Sequence, residues 1–178
     1  GVALAAGLVA VIASSPTTEA TDAVAAQEVS CNWQLIGSSG KDLFHSASAF
    51  DPDHHKMYVY GGVGADYQPQ NTAEEGDLSG TALSIGWRTL AAGSARSLVG
   101  ASGAFRARGA DSDDSAAYFV GGMANPQSGN TTNDLQRYRV KARSWERVTV
   151  GNASEFKNRV FASAAYDPLH DVIWVVGG

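Results

Sequence analysis

One cysteine, Cys31, stands among the 178 residues, so no internal disulfide framework can form and the redox state of the compartment is not legible. Its thiol reads as a small buried hydrophobe, with an intermolecular disulfide and a lipid-carrying cysteine as the sharper readings. Lysine and arginine are nowhere clustered, and the formal net charge is −5. A chain that binds by neutralising phosphates needs a basic stripe, so nucleic acid is excluded as an expected partner. No charge-free apolar run approaches the ~20 residues of a membrane-spanning helix. No Gly-rich phosphate loop and no Ser/His/Asp arrangement is present. Only five prolines accompany twenty glycines, and short runs rich in Val, Tyr, Phe and Trp recur. These point to short strands joined by tight turns, an all-β body with a core of its own.

Val2 to Ala13 is a run of twelve apolar residues, followed by the polar, small-residue stretch Ser14 to Asp22. Opening on Gly1 rather than Met, the run reads as the tail of a longer, uncleaved membrane anchor in helical form, as a signal-peptide core, whose length it matches better, or as a buried helix of the globular domain. The first two place the remainder outside the cytoplasm: secreted, periplasmic or at the cell surface. Residues 14–30 lack hydrophobic periodicity and read as a linker, leaving 31–178 as the folded domain.

Within that domain the stretch Ala49 to Gly62 returns as Ala165 to Gly178, and Ala117-Tyr118-Phe119-Val120-Gly121-Gly122 is a middle copy. The Gly pairs Gly61-Gly62, Gly121-Gly122 and Gly177-Gly178 recur in step with the runs that open on Trp33, Trp87 and Trp145. Two candidate strands precede each Gly pair: Ser46 to Phe50 and Met57 to Tyr60, Ala101 to Phe105 and Ala116 to Val120, Ala162 to Tyr166 and Val172 to Val176. Asp-Pro supplies the turn in the first and third copies, and a charged loop, Arg106 to Asp114, replaces it in the second. After each complete Gly pair a polar loop leads to Asp77-Leu78 or Asp134-Leu135. A third strand is then expected at Thr81 to Ile85 and at Leu135 to Val140.

Two strands ending in Gly-Gly, a long loop, Asp before a third strand and Trp opening a fourth resemble the kelch repeat, a four-stranded propeller blade of about 50 residues. The resemblance covers about Trp33 to Gly178 and implies an incomplete propeller of roughly two and a half blades, with Gly61, Gly62, Trp87, Gly121, Gly122, Trp145, Gly177 and Gly178 as structural anchors. Further repeats, or further copies of the chain, would complete the ring. The arginine that many kelch repeats carry before the first strand is absent, with Arg96 and Arg159 one residue away. Galactose oxidase-like copper enzymes share the scaffold but need a tyrosine-linked cysteine and histidine ligands, and Cys31 lies ahead of the first complete blade.

Function is therefore expected in the loops. Val63 to Gly76 carries Asp66, Tyr67, Glu74 and Glu75, and Met123 to Asn133 carries Asn125, Gln127, Asn130 and Asn133. Such groups suit a protein partner or a carbohydrate. His45, at the start of a strand facing the axis, is the candidate for lining a central pocket. His54-His55 and His170 sit in the Asp-Pro turns without a ligand cluster around them, so no metal and no cofactor is expected. The reading is a non-catalytic, extracytoplasmic interaction module, and a sugar-binding or enzymatic propeller fragment is its rival.

Overall fold

The computed structural model describes residues 7–11, 33–39, 41–80, 85–91, 96–109, 111–152 and 154–178, with the first strands of the chain described by backbone alone. Every regular element among them is a β-strand and every pairing is antiparallel. The apolar start is not helical where it is described. Gly7–Val11 (β1) is a strand that pairs with Trp33–Ser38 (β2), consistent with the β-branched valines in GLVAV, which favour extended backbone. Among the described residues no helix is long and apolar enough to cross a membrane. Cys31 and the expected linker, 14–30, lie outside the described residues.

Two four-stranded sheets follow. Ala47–Asp51 (β3), Lys56–Tyr60 (β4), Ala73–Asp77 (β5) and Gly86–Leu90 (β6) form the first in sequence order. The second is built from Ser102–Arg106 (β7), Ala116–Val120 (β8), Leu135–Arg139 (β11) and Ser144–Arg147 (β12). Between β8 and β11 the small hairpin Met123–Asn125 (β9) and Asn130–Thr131 (β10) occupies the loop. Ser163–Asp167 (β13) and Val172–Val176 (β14) make a two-stranded third sheet. The first strands β3, β7 and β13 stand side by side, each against the next, outside any ladder. Small residues permit that approach: a Cβ on Gly103 would stand 2.1 Å from the Ser48 carbonyl oxygen. On the other side of β7, the Ser102 hydroxyl donates to the Ala162 carbonyl at 2.6 Å.

One expectation fails in the first sheet. Its third strand is Ala73–Asp77 and not Thr81 to Ile85, of which residues 81–84 lie outside the described set. The main chain explains the difference: the Gly61 amide donates to Thr72 O (2.9 Å) as the Gly121 amide donates to Asp134 O (2.8 Å). Asn71-Thr72 thus holds the place of Asn133-Asp134, and the strand starts at once. Glu74 and Glu75 leave the loop and become buried strand residues.

The core lies between the two complete sheets. Tyr60 meets Trp145 at 4.8 Å between centroids and Phe119 at 4.9 Å, both tilted, and Tyr58 lies parallel to Phe105 at 5.9 Å. Such pairs contribute about 0.5–1.5 kcal/mol each beyond the burial of their area. Trp87 plays the lesser role of covering Gly76, whose absent Cβ leaves room for the indole. In the third sheet Trp174 and Val176 hold the register positions of Tyr58 and Tyr60, yet they are 59% and 69% exposed, because among the described residues no sheet lies over them.

The Gly pairs join one repeat to the next. The second glycine of each complete copy sends its amide across: Gly62 to Leu98 O and Gly122 to Arg159 O, both at 2.8 Å. The first glycine cannot carry a side chain, since a Cβ on Gly61 would lie 2.3 Å from Leu98 O, and its φ is +69°.

Candidate functional site

The two long loops leave one end of the sheets, and the sequence brings four aromatic rings together there. Phe44 precedes β3 and is held to the first loop by paired amide–carbonyl bonds with Val63 (3.1 and 2.8 Å). The loop then folds on itself: the Tyr67 amide donates to Gly64 O at 2.9 Å, Gly64 N to Gln68 O at 3.1 Å, and Asp66 Oδ1 accepts the Gln68 amide at 3.1 Å. That Asx-type turn lifts Tyr67 to the apex, 71% exposed. Its ring meets Phe44 at 5.8 Å, Phe44 meets His45 at 5.7 Å, and His45 meets Phe161 at 5.0 Å. Phe44 and Phe161 are exposed as well.

His45 and Phe161 occupy the same position in their repeats, two residues ahead of β3 and β13, and Gly100 holds it in the middle repeat. A main-chain relay links the three. Gly100 N donates to His45 O and Phe161 N donates to Gly100 O, each at 2.8 Å. All three have positive φ, at 58°, 66° and 57°. Glycine adopts that conformation freely, whereas for other L-residues it costs about 1–2 kcal/mol. Gly100 serves a second purpose: a Cβ there would be 2.5 Å from the Phe161 ring, so its bareness lets that ring lie across the middle repeat and reach His45. Tyr67 also has positive φ, 59°. Three of the six non-glycine residues with positive φ among the described residues thus belong to one exposed aromatic row, and backbone strain of this kind concentrates at functional sites.

The second loop is more self-contained. Asn125 Oδ1 accepts the amides of Gln127 (2.9 Å) and Ser128 (3.3 Å), and Asn133 Nδ2 donates to Phe156 O at 3.0 Å. Those two amides fasten the loop; Gln127 and Asn130 point to solvent. Glu75 is paired inside the first sheet with Lys56 Nζ (2.9 Å) and Arg88 (3.0 Å). Burial pushes its carboxyl up, but the bonds from Lys56 and then Arg88 outweigh this and hold it below the ordinary range. Glu74, 3% exposed, faces away from solvent too. Neither glutamate belongs to a recognition surface. Phe44 and Phe161, by contrast, were not flagged by their composition. The signal that identifies them is positional: each stands at the entry to a first strand, where repeats align Phe44-His45, Val99-Gly100 and Val160-Phe161.

At the opposite end His54 and His170 are occupied. His54 Nδ1 is 2.7 Å from Asp51 Oδ2 while Asp51 Oδ1 accepts the turn amides of Asp53 and His54. His170 and Asp167 repeat this arrangement with the same 2.7 Å spacing. Among the described residues no group of three or more His, Cys, Asp or Glu side chains could hold a metal ion. In the middle copy Arg106 stands where those aspartates do and reaches Asp171 of the next repeat through two bonds, 2.7 and 2.6 Å. Arg96 and Arg147 both pair with the buried carboxylate of Asp134, so the arginine beside the expected kelch position is engaged internally.

No family model matches the chain, and no curated protein matches it in sequence. Its fold is similar to that of the solved structure of YjhT, with a TM-score of 0.58 at 16% identity over 82% of this chain and 42% of that one. A likeness at that identity bears on the fold alone, and this chain spans less than half the length of that neighbour.

Proposed function

We propose that the protein is a non-catalytic, extracytoplasmic interaction module on a kelch-type propeller scaffold, whose protein partner docks at the end carrying the loops after the Gly pairs. The scaffold reading is supported by three first strands lying side by side and by the Gly pairs passing a hydrogen bond to each next repeat. The same bond recurs at both complete joints, as an arrangement repeated around an axis requires. The extracytoplasmic placement rests on the composition of the apolar run Val2 to Ala13 as a targeting segment, since the pairing of Gly7–Val11 with β2 leaves a helical anchor without support. The observation that carries the docking site is the exposed row Tyr67, Phe44, His45 and Phe161, three of whose members keep strained backbones. Exposed aromatic residues with few rotatable bonds are efficient interface anchors, and nothing in the row pairs a general acid with a base. His45 and the loop residue Tyr67 form one surface through Phe44, so the loop candidate and the pocket candidate belong to the same docking reading.

A photo-reactive phenylalanine analogue at position 67, and another at Leu169 on the opposite end, tests this in producing cells. Leu169 is 84% exposed and is a fair control. A discrete protein adduct from position 67 and none from 169 is expected. Equal yields from both, or an adduct from 169 alone, would overturn the reading.

A further inference from the structure

We infer that two copies of the chain associate head to tail, the third sheet of each covering the first sheet of the other. The inference rests on the propeller reading of the scaffold and goes beyond the docking reading. Outside the aromatic row and the turn residue Leu169, the exposed large hydrophobic residues among those described lie on two sheet faces. Val172, Trp174 and Val176 form one face of β14, and Phe50 stands on the outer face of the first sheet. Contiguous exposed apolar faces of this kind mark association surfaces. The joint between the first and second sheets shows that two such faces fit each other. There Tyr58 lies parallel to Phe105 at 5.9 Å and Tyr60 meets Phe119 at 4.9 Å. By register Trp174 stands where Tyr58 does and Phe50 where Phe105 does, while Val176 matches Tyr60 and Val59 matches Phe119. Trp174 of one copy therefore meets Phe50 of the other, and Val176 meets Val59.

The main chain continues across the same contact. The relay from His45 through Gly100 to Phe161 is open at both ends: among the described residues the His45 amide and the Phe161 carbonyl have no partner, and both residues are exposed. The His45 amide of one copy extends the relay by donating to Phe161 O of the other, in the direction the two existing bonds run. Gly62 and Gly122 donate to Leu98 O and Arg159 O, whereas Gly178 has no acceptor among the described residues. Leu43 aligns with Leu98 and Arg159, and its carbonyl is unused there. Donor thus faces acceptor at two points of a joint that the chain already makes twice. The lone pair β1–β2 fits the same arrangement. Its strands bond only to each other, and β2 precedes β3 as β6 precedes β7 and β12 precedes β13, the place of the fourth strand in the sheet before. It supplies the two outer strands beside β13–β14 of the other copy and covers the open edge of β14.

Copy number follows from closure. Head-to-tail contacts form a ring only where the rotation closes. Each copy brings three sheets, and propellers close with about four to eight, so two copies fit and three exceed the range.

Sedimentation velocity of the full chain across a wide concentration range tests this, with Trp174→Arg and Phe50→Arg as variants. We expect a species of twice the mass of one chain, and a dissociation constant raised at least tenfold by either substitution. A head-to-tail contact makes a sharper demand. Mixing the two variants should restore pairing, since Trp174 of one then meets Phe50 of the other, and that recovery also shows both variants to be folded. A monomer at every concentration, or a pair that neither substitution weakens, overturns the inference. So does a mixture no more associated than its components, or a monomer that binds a different protein through Trp174. None of these outcomes alters a discrete adduct from position 67 with another protein, so the docking reading is judged separately.

Discussion

Gly103 and Ser48 come closer than any side chain would permit: a Cβ on Gly103 would sit 2.1 Å from the Ser48 carbonyl oxygen and 2.6 Å from its carbon. The two residues belong to first strands of successive sheets, so their contact sets how tightly the sheets converge where β3 meets β7.

Gly103→Ala is therefore expected to push β7 from β3, at about 1–3 kcal/mol, in the range of overpacked cores. A drop of about 2–4 °C in Tm per kcal/mol follows for a chain of this size. Gly61→Ala should cost at least as much, because it adds a left-handed φ to a 2.3 Å clash with Leu98 O. Gly86→Ala, with open space around it, is the control and should melt near the parent temperature.

Glu75→Ala is expected to destabilise the fold by about 2 kcal/mol, since it removes hydrogen bonds to two charged partners and leaves Lys56 and Arg88 facing each other. It should not change partner capture at equal folded concentration. Chemical denaturation and the crosslinking yield from position 67 separate the two effects.

The Asp171 carboxyl is held well below the usual range, chiefly by hydrogen bonds from the Arg106 guanidinium, which outweigh the opposing effect of desolvation. A folded-state pKa below the unfolded value of about 3.9 stabilises the fold above that pH and loses the contribution as pH falls towards the folded value. Tm should accordingly fall on acidification from about pH 5 towards pH 2. Asp171→Asn should lower Tm at neutral pH and flatten that acid limb.

These contacts also mark what the sequence revealed. The Gly pairs and Trp145 are legible because a repeat must reproduce its joints, and both complete Gly pairs make the same cross-repeat bonds. The third strand of the first sheet is not legible from composition. Ala73-Glu74-Glu75-Gly76-Asp77 has no strand-forming side chain and is strand only because β4 and β6 pair with it on either side. Long-range pairing overrides local propensity there. The twelve apolar residues of the N-terminal run carry no period that separates helix from strand. The aromatic row was half legible: His45 and Tyr67 were candidates from their places in loops, while Phe44 and Phe161 became part of the site only through the Val63 bridge and the bareness of Gly100.

The most direct test of the account is one pair of measurements on the double variant Tyr67→Gly, Phe161→Gly. Glycine adopts positive φ without strain, so if these residues are kept for binding, the variant should hold or raise its Tm while the crosslinking yield, read from an analogue placed at neighbouring Gln68, collapses at least tenfold. A lower Tm with unchanged crosslinking would contradict the account, because the row would then be packing and the docking surface would lie elsewhere.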